Sequence, residues 1–441
     1  MKTNKLNFEI GNSLYARANK YIPGAAHTYS KGDDQFPENA PKLIEKGFGC
    51  NIWDADGNKY KDMAMSLGTV TLGHAYEPVL EAVRCELNKG VNFCKPSIIE
   101  GELAELVCDI IPSAEMVKFG KHGSDAVTSA IKLSRAYTGR KLVARCAEDA
   151  FNAIHDWFIG STVVNRGVPE EIQKLTLKFK YNDIESCQRL FDEFPEQIAC
   201  FILEPISFVA PENDFLDKLK TLCENNGTIL IFDEVVSGFR FALGGAQQMI
   251  GVTPHLSAFG KAMANGFSVS ALVGQREFMK LGGITHDQER VFLLSTTHGG
   301  ETHALAASIA SINEIKKHNA IEHFWNVGKL LKDGIKAAAH EVGAEKYINI
   351  SGYDVKPAFS FNDENGEISM IARTLFLQET ISQGLMMPYV VPSFSHKKED
   401  INFAVECVKN ALIVMKYSAE NQGMASAIKG EIVKPVFRKF N

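Results

Sequence analysis

The chain has 441 residues, 45% of them hydrophobic and 23% charged, an ordinary globular composition with enough apolar material for a sizeable core. Lys plus Arg at 47 against Asp plus Glu at 53 gives a net charge of −6, so no basic excess is available to neutralise a phosphate backbone and no nucleic-acid partner is expected. No apolar run approaches the roughly 18 residues that span a bilayer, and the opening MKTNKLNFEIGNS lacks an apolar signal core, so a soluble cytoplasmic protein with no membrane partner is expected.

Nine cysteines, an odd number with no C-x-x-C pair, read as reduced thiols packed like small hydrophobes, and no metal site is expected. Along the chain, short β-rich apolar runs alternate with longer helical patterns, which predicts βαβ units and a mainly parallel sheet. The first strand is MVKFG (116–120). Gly123-Ser124-Asp125 then opens a helix with Ala126, Val127, Ala130 and Ile131 on its apolar stripe and Gly139 as its stop. Ser124 can cap that helix, and the first-turn N–H groups form an anion site suited to a phosphate. Strands KLVARC (141–146) and ACFILE (199–204) follow. A helix carrying Phe215, Leu216, Leu219 and Leu222 closes at Asn225-Asn226-Gly227 and feeds the strand TILIFD (228–233), followed by LSAFG (256–260) and VSALVG (269–274). Residues 303–318 and 401–416 read as helices, with weaker strand signals around YINISGY and KPAFSF between them. Two domains are expected: a large one over 55–320, and a smaller α+β one built from 1–54 and 321–441.

Three features carry chemistry. Asp233-Glu234 ends an apolar strand, where ligands of open α/β sheets bind. An ATPase would need a G-x-x-x-x-G-K-[ST] loop, and the Gly-Lys pairs at 120–121, 260–261 and 328–329 have neither the upstream Gly nor the following Ser or Thr. Lys261 follows a strand among Phe259, Ala262 and Met263, an apolar setting that lowers an ammonium pKa as a Schiff-base lysine requires. With the Gly123-Ser124 cradle and Phe151 just after a strand, the set matches an aldehyde cofactor bearing a phosphate and a pyridine ring. Such a cofactor needs an amine, a carboxylate for the ring nitrogen, an anion cradle and a stacking ring. His155-Asp156 reads as structural or substrate-orienting. His298 and His303 share no helical face that would suit a metal. Arg240 reads equally as a holder of a substrate anion or as a structural ion pair.

The run FDEVVSGFRFALGGAQQMIGVTPHLSAFGK (232–261), with IPGAAHTYSKGDDQFPENAP, NIWDADGNKYKD, LGHAYEPV and VPSFSHKKEDI, resembles the class III pyridoxal-phosphate-dependent aminotransferases, and within them the glutamate-1-semialdehyde aminomutase branch. The resemblance implies a fold type I α/β architecture, with a mainly parallel central sheet sandwiched by helices plus the smaller α+β domain. It implies pyridoxal 5′-phosphate as cofactor, Lys261 as the Schiff-base lysine and proton shuttle, and Asp233 as partner of the pyridinium nitrogen. It further implies Gly123 and Ser124 at the phosphate, Thr297 completing that cradle from the neighbouring subunit of a homodimer, and Glu204 near the ring. Phe151-Asn152-Ala153 stands where the family has Tyr-His-Gly, so stacking is kept while the hydroxyl and imidazole are lost. Lys31 stands where the aminomutase branch has an arginine for the substrate carboxylate, and a point charge lacks the bidentate fork. Ser207 lies in a loop that also departs from that branch. The resulting expectation is an aminotransferase moving an amino group from a small-molecule donor to an aldehyde or keto acceptor, in surface-carbohydrate or related secondary metabolism. The alternative is an aminomutase, with Lys31, Ser207 and Arg240 as the substrate residues.

Overall fold

The computed structural model describes residues 6–206 and 208–440. The chain divides into two compact units, Glu77–Ile321 with Lys439–Asn441 and Met1–Tyr76 with Glu322–Arg438. Residues 55–76, placed in the large domain by the sequence, belong instead with the chain ends. The reason is strand pairing: Lys59–Asp62 lies antiparallel to Asn51–Asp54 and parallel to Leu385–Met386.

The unit of residues 77–321 is built on seven strands: β1 (Met116–Gly120), β2 (Leu142–Cys146), β3 (Thr176–Phe179), β4 (Ile198–Leu203), β5 (Ile229–Asp233), β6 (Leu256–Phe259) and β7 (Ser270–Gly274). Their order across the sheet is β1-β7-β6-β5-β4-β2-β3. Every pair is parallel except those made by β7, which runs against both β1 and β6. Strands β2, β4, β5, β6 and β7 are buried at every position, which is why they read as continuous apolar runs rather than alternating ones. β3 had no counterpart in the sequence reading. It is an edge strand, four residues long with only Phe179 fully buried, so its apolar signal is weak.

Helix α1 (Gly123–Thr138) packs on β7, β6 and β4 through a stripe that includes Val127, Ala130 and Ile131, and stops at Gly139, whose φ of +70° suits glycine. Beneath the other face, Phe201, Leu203, Leu230 and Phe232 join Leu216 and Leu219 of α2 (Phe215–Asn225) in one core. α3 (Thr302–Lys317) packs against helix Glu77–Leu87.

The unit made of the chain ends is α+β. It holds the four-stranded sheet containing residues 44–62, a hairpin of Ile348–Tyr353 with Lys356–Phe361, and helices Met370–Ser382 and Lys398–Asn421. Its core includes Leu331, Phe376, Leu385, Val408 and Met415. Among the described residues, no helix is long and apolar enough to cross a membrane.

Candidate active site

Because β1, β2, β4, β5 and β6 run the same way, their carboxyl ends share one edge of the sheet, the edge at which open α/β sheets bind ligands. Five of the residues singled out in the sequence sit there. Asp233 is the last residue of β5, Glu204 follows β4, Lys261 lies two residues past β6, Gly123 opens α1 after β1, and Asn152 lies beyond β2.

Asp233 is 3% exposed. Burial, reinforced by the Glu204 carboxylate, pushes its pKa up to about 7, opposed by a hydrogen bond from Asn152 and by the Lys261 charge. Asn152 Nδ2 donates to Asp233 Oδ2 at 3.0 Å, and the Val235 N–H donates to Asp233 Oδ1 at 3.1 Å. Asn152 is itself 3% exposed, and its Oδ1 has no hydrogen-bond partner. Lys261 has φ of +43°, in the left-handed region that a non-glycine residue occupies at a cost of about 1–2 kcal/mol. Strain of this kind gathers at functional sites, and here it falls on the lysine that faces the buried carboxylate.

The start of α1 closes on the same point. A Cβ on Gly123 would sit 2.7 Å from Val235 Cγ1, so only glycine lets this helix end approach the turn after Asp233. Ser124 is not the cap expected from the sequence. His122 is, in a box with Asp125, whose carboxylate accepts the His122 N–H at 3.0 Å. The difference follows from Asp125, which reaches back to the N–H three residues before it and so starts the helix at Gly123. Ser124 is buried, and its Oγ accepts the Ile154 N–H at 3.2 Å, tying the helix to the segment that carries Asn152. Phe151 meets Phe158 edge-on at 5.6 Å and is 42% exposed, which leaves ring surface open. Buried Phe158 is backed in turn by the Arg145 guanidinium at 4.9 Å.

Thr297 is exposed, and its carbonyl accepts from Asn92 Nδ2 at 3.0 Å. Lys31 lies in the unit made of the chain ends, exposed, with its ammonium 3.4 Å from Ser66 Oγ. Arg240 is 1% exposed, and burial alone lowers its pKa to about 10. Ser207 lies outside the described residues. Glu234, next to Asp233, turns away from the edge and is fully buried, accepting the N–H groups of Ala246 at 2.7 Å and Gln247 at 2.8 Å. His155 Nδ1 lies 2.9 Å from Thr128 Oγ1, and His298 Nδ1 lies 3.0 Å from Glu301 Oε1, a carboxylate partner that sequence spacing did not suggest.

Asp149 was missed by sequence reasoning. Its Oδ2 accepts the Glu204 N–H at 3.0 Å and lies 3.5 Å from Asn152 Nδ2, and burial followed by the Glu204 charge raises its pKa well above the usual carboxylate range. Nothing in the sequence distinguishes it from any acid in a loop after a strand.

Residues 35–412 match the sequence profile of the family Aminotransferase class-III. The chain is 32% identical over 433 residues to the glutamate-1-semialdehyde 2,1-aminomutase of Syntrophobacter fumaroxidans, covering 92% of this chain and 98% of that protein. It is 34% identical over 430 residues to glutamate-1-semialdehyde 2,1-aminomutase 2 of Brevibacillus brevis, covering 92% and 99%. Among solved structures it resembles an omega-transaminase from Sphaerobacter thermophilus, with a TM-score of 0.81 at 25% identity over 91% of this chain and 97% of that one. With this coverage added to the parallel sheet and its occupied carboxyl edge, the chain belongs to the class III aminotransferases, enzymes that use pyridoxal phosphate.

Proposed function

We propose that this chain is an intermolecular aminotransferase working through Lys261 and Asp233, taking an amino group from one small molecule and delivering it to an aldehyde or keto acceptor. The observation that supports it most is a buried carboxylate, Asp233, under the charge of a strained lysine, Lys261, beside the opening turn of a 16-residue helix. These residues fit pyridoxal phosphate. They offer an acid for the ring nitrogen, an amine, a helix start made accessible by Gly123, and an aromatic ring with open surface at Phe151.

When bound, that cofactor supplies an aldehyde that condenses with amines and a protonated ring that draws electrons from the attached carbon. Asp233 would accept the ring N–H. With a pKa of about 7 in the protein alone it is only partly ionised near neutral pH, and a protonated ring nitrogen opposite it would favour the charged form. Asn152 and the Val235 N–H fix its two oxygens, so the accepting lone pairs are oriented before anything binds. Lys261 would hold the cofactor through its amine, and the same amine would serve as the base that moves a proton at the substrate α-carbon. Gly123 and Ser124 would hold the phosphate on first-turn N–H groups, and in a homodimer Thr297 of the second subunit would complete that cradle. Glu204 borders the ring. Lys31, Ser207 and Arg240 are the candidates for substrate recognition.

A second reading, an amino shift within one molecule, is favoured by the aminomutase names of the relatives at 32% and 34% identity. Lys31 in place of the arginine of that branch weighs against it. Purified enzyme incubated with a panel of amino donors separates the two. A transaminase releases one keto product per turnover of donor and stalls without an acceptor, whereas a mutase releases none. Lys261→Ala should abolish turnover, and if it does not, the proposed role of this lysine is wrong.

A further inference from the structure

At the carboxyl ends of β2, β4 and β5, Asp149 and Asp233 both accept from the amide of Asn152, Asp149 also accepts the Glu204 peptide N–H, and all four residues are at most 7% exposed. Asp149 is absent from the roles assigned above, although it has the most central position. Its Oδ2 accepts two N–H donors, the Glu204 peptide at 3.0 Å and Asn152 Nδ2 at 3.5 Å, while the same Nδ2 donates to Asp233 at 3.0 Å. One amide nitrogen thus bridges two acids, and that amide's oxygen is left unpartnered, so its orientation is set wholly from the Nδ2 side.

We propose that Asp149 is a positioning residue of the cofactor site, acting as a neutral carboxylic acid that holds Asn152 and the Glu204 peptide while keeping its own charge out of the cluster. The proposal rests on Asp233 facing the cofactor ring nitrogen. In a neutral acid one oxygen is a carbonyl acceptor and the other carries the proton. Oδ2, with its two N–H donors, takes the first role, which leaves the proton on Oδ1. Among the groups that face Asp149, Glu204 and Asp233 disfavour a further negative charge, the neutral Cys146 thiol on β2 adds no positive charge, and the Arg145 guanidinium on the same strand favours ionisation but is outweighed by burial. Lys261 bears on Asp233, and burial is the largest influence raising the Asp149 pKa. The consequence is division of labour among the acids: Asp149 holds the bridge and Asp233 carries the charge that the ring requires.

The test measures the affinity of the apoprotein for pyridoxal phosphate by equilibrium dialysis between about pH 6 and pH 9. An amide has the shape of the neutral acid, so Asp149→Asn should keep affinity within about twofold of the parent at every pH, with an unshifted profile. Asp149→Ala strips the acceptor from two buried N–H groups and should weaken affinity about tenfold, as should Asn152→Ala. A D149N profile displaced by about one pH unit or more, or D149N as weak as D149A, means that Asp149 works as an anion and overturns the proposal. Parent-like affinity in both D149A and N152A also overturns it. D149N by itself decides the charge state, so failure of D149A to fold leaves the proposal open to refutation. Asp233→Ala is the control. If it binds pyridoxal phosphate as the parent does, the assignment of Asp233 is what has failed.

Discussion

Asp233→Asn in the cofactor-free protein should stabilise the fold, and increasingly so as pH rises. The pKa of Asp233 is pushed from 3.8 to about 7 by burial and Glu204, so the folded state holds a proton that the unfolded chain releases more readily. A carboxylate whose folded pKa is raised contributes most below its unfolded pKa, and that contribution is lost progressively until pH passes the folded value. The full difference, 7 − 3.8 = 3.2 units, corresponds to about 4 kcal/mol. At about pH 5.5 the loss is already 5.5 − 3.8 = 1.7 units, about 2 kcal/mol, and it reaches its ceiling near pH 8.5. The neutral asparagine never bears this cost; its oxygen keeps the bond from Asn152, while its NH2 loses the bond from the Val235 N–H, a cost of about 1–3 kcal/mol that is the same at every pH and so leaves the change in the gap intact. Urea denaturation of cofactor-free parent and D233N at the two pH values should therefore show their stability gap widening by about 2 kcal/mol in favour of the variant. A gap that stays constant, or that narrows as pH rises, would refute the burial argument. The same reasoning makes pyridoxal phosphate a stronger stabiliser of the parent than of D233N, because only the parent gains a counter-charge for its buried acid.

Gly123→Ala should lower cofactor affinity and stability together, by about 1–3 kcal/mol in thermal or urea melts, because its Cβ would stand 2.7 Å from Val235 Cγ1. Val235→Ala in the same chain should return part of that loss, and additivity of the two changes would show that the contact is not responsible. Glu234→Ala leaves the Ala246 and Gln247 N–H groups buried without an acceptor, and should cost about 2–4 kcal/mol in urea while activity per folded molecule is retained. A loss of turnover without loss of stability would place Glu234 in the site. Ser124→Ala removes the tie to the Ile154 N–H and should weaken cofactor binding more than it lowers the melting temperature, measured on apoprotein and holoprotein side by side.

The sequence by itself determined the large sheet, because strands buried on both faces must be continuously apolar. β2, β4, β5, β6 and β7 therefore stand out whatever surrounds them. It also marked Asp233, Lys261 and Gly123, since a charged residue or a glycine at the end of such a run is conspicuous against it. The half-exposed edge strand β3 carries little of that signal. Tertiary structure alone decided the rest. The capping of α1 at His122 depends on where the Asp125 side chain turns, and the assignment of residues 55–76 depends on pairing with Leu385–Met386, more than 300 positions away. Whether an acid is solvated or buried among other acids is likewise a matter of which strand ends the fold brings together. Asp149 and Glu148 are neighbours of the same chemistry in one loop, yet only Asp149 turns back on Asn152 and meets the N–H of Glu204, which lies at the end of another strand 55 residues away.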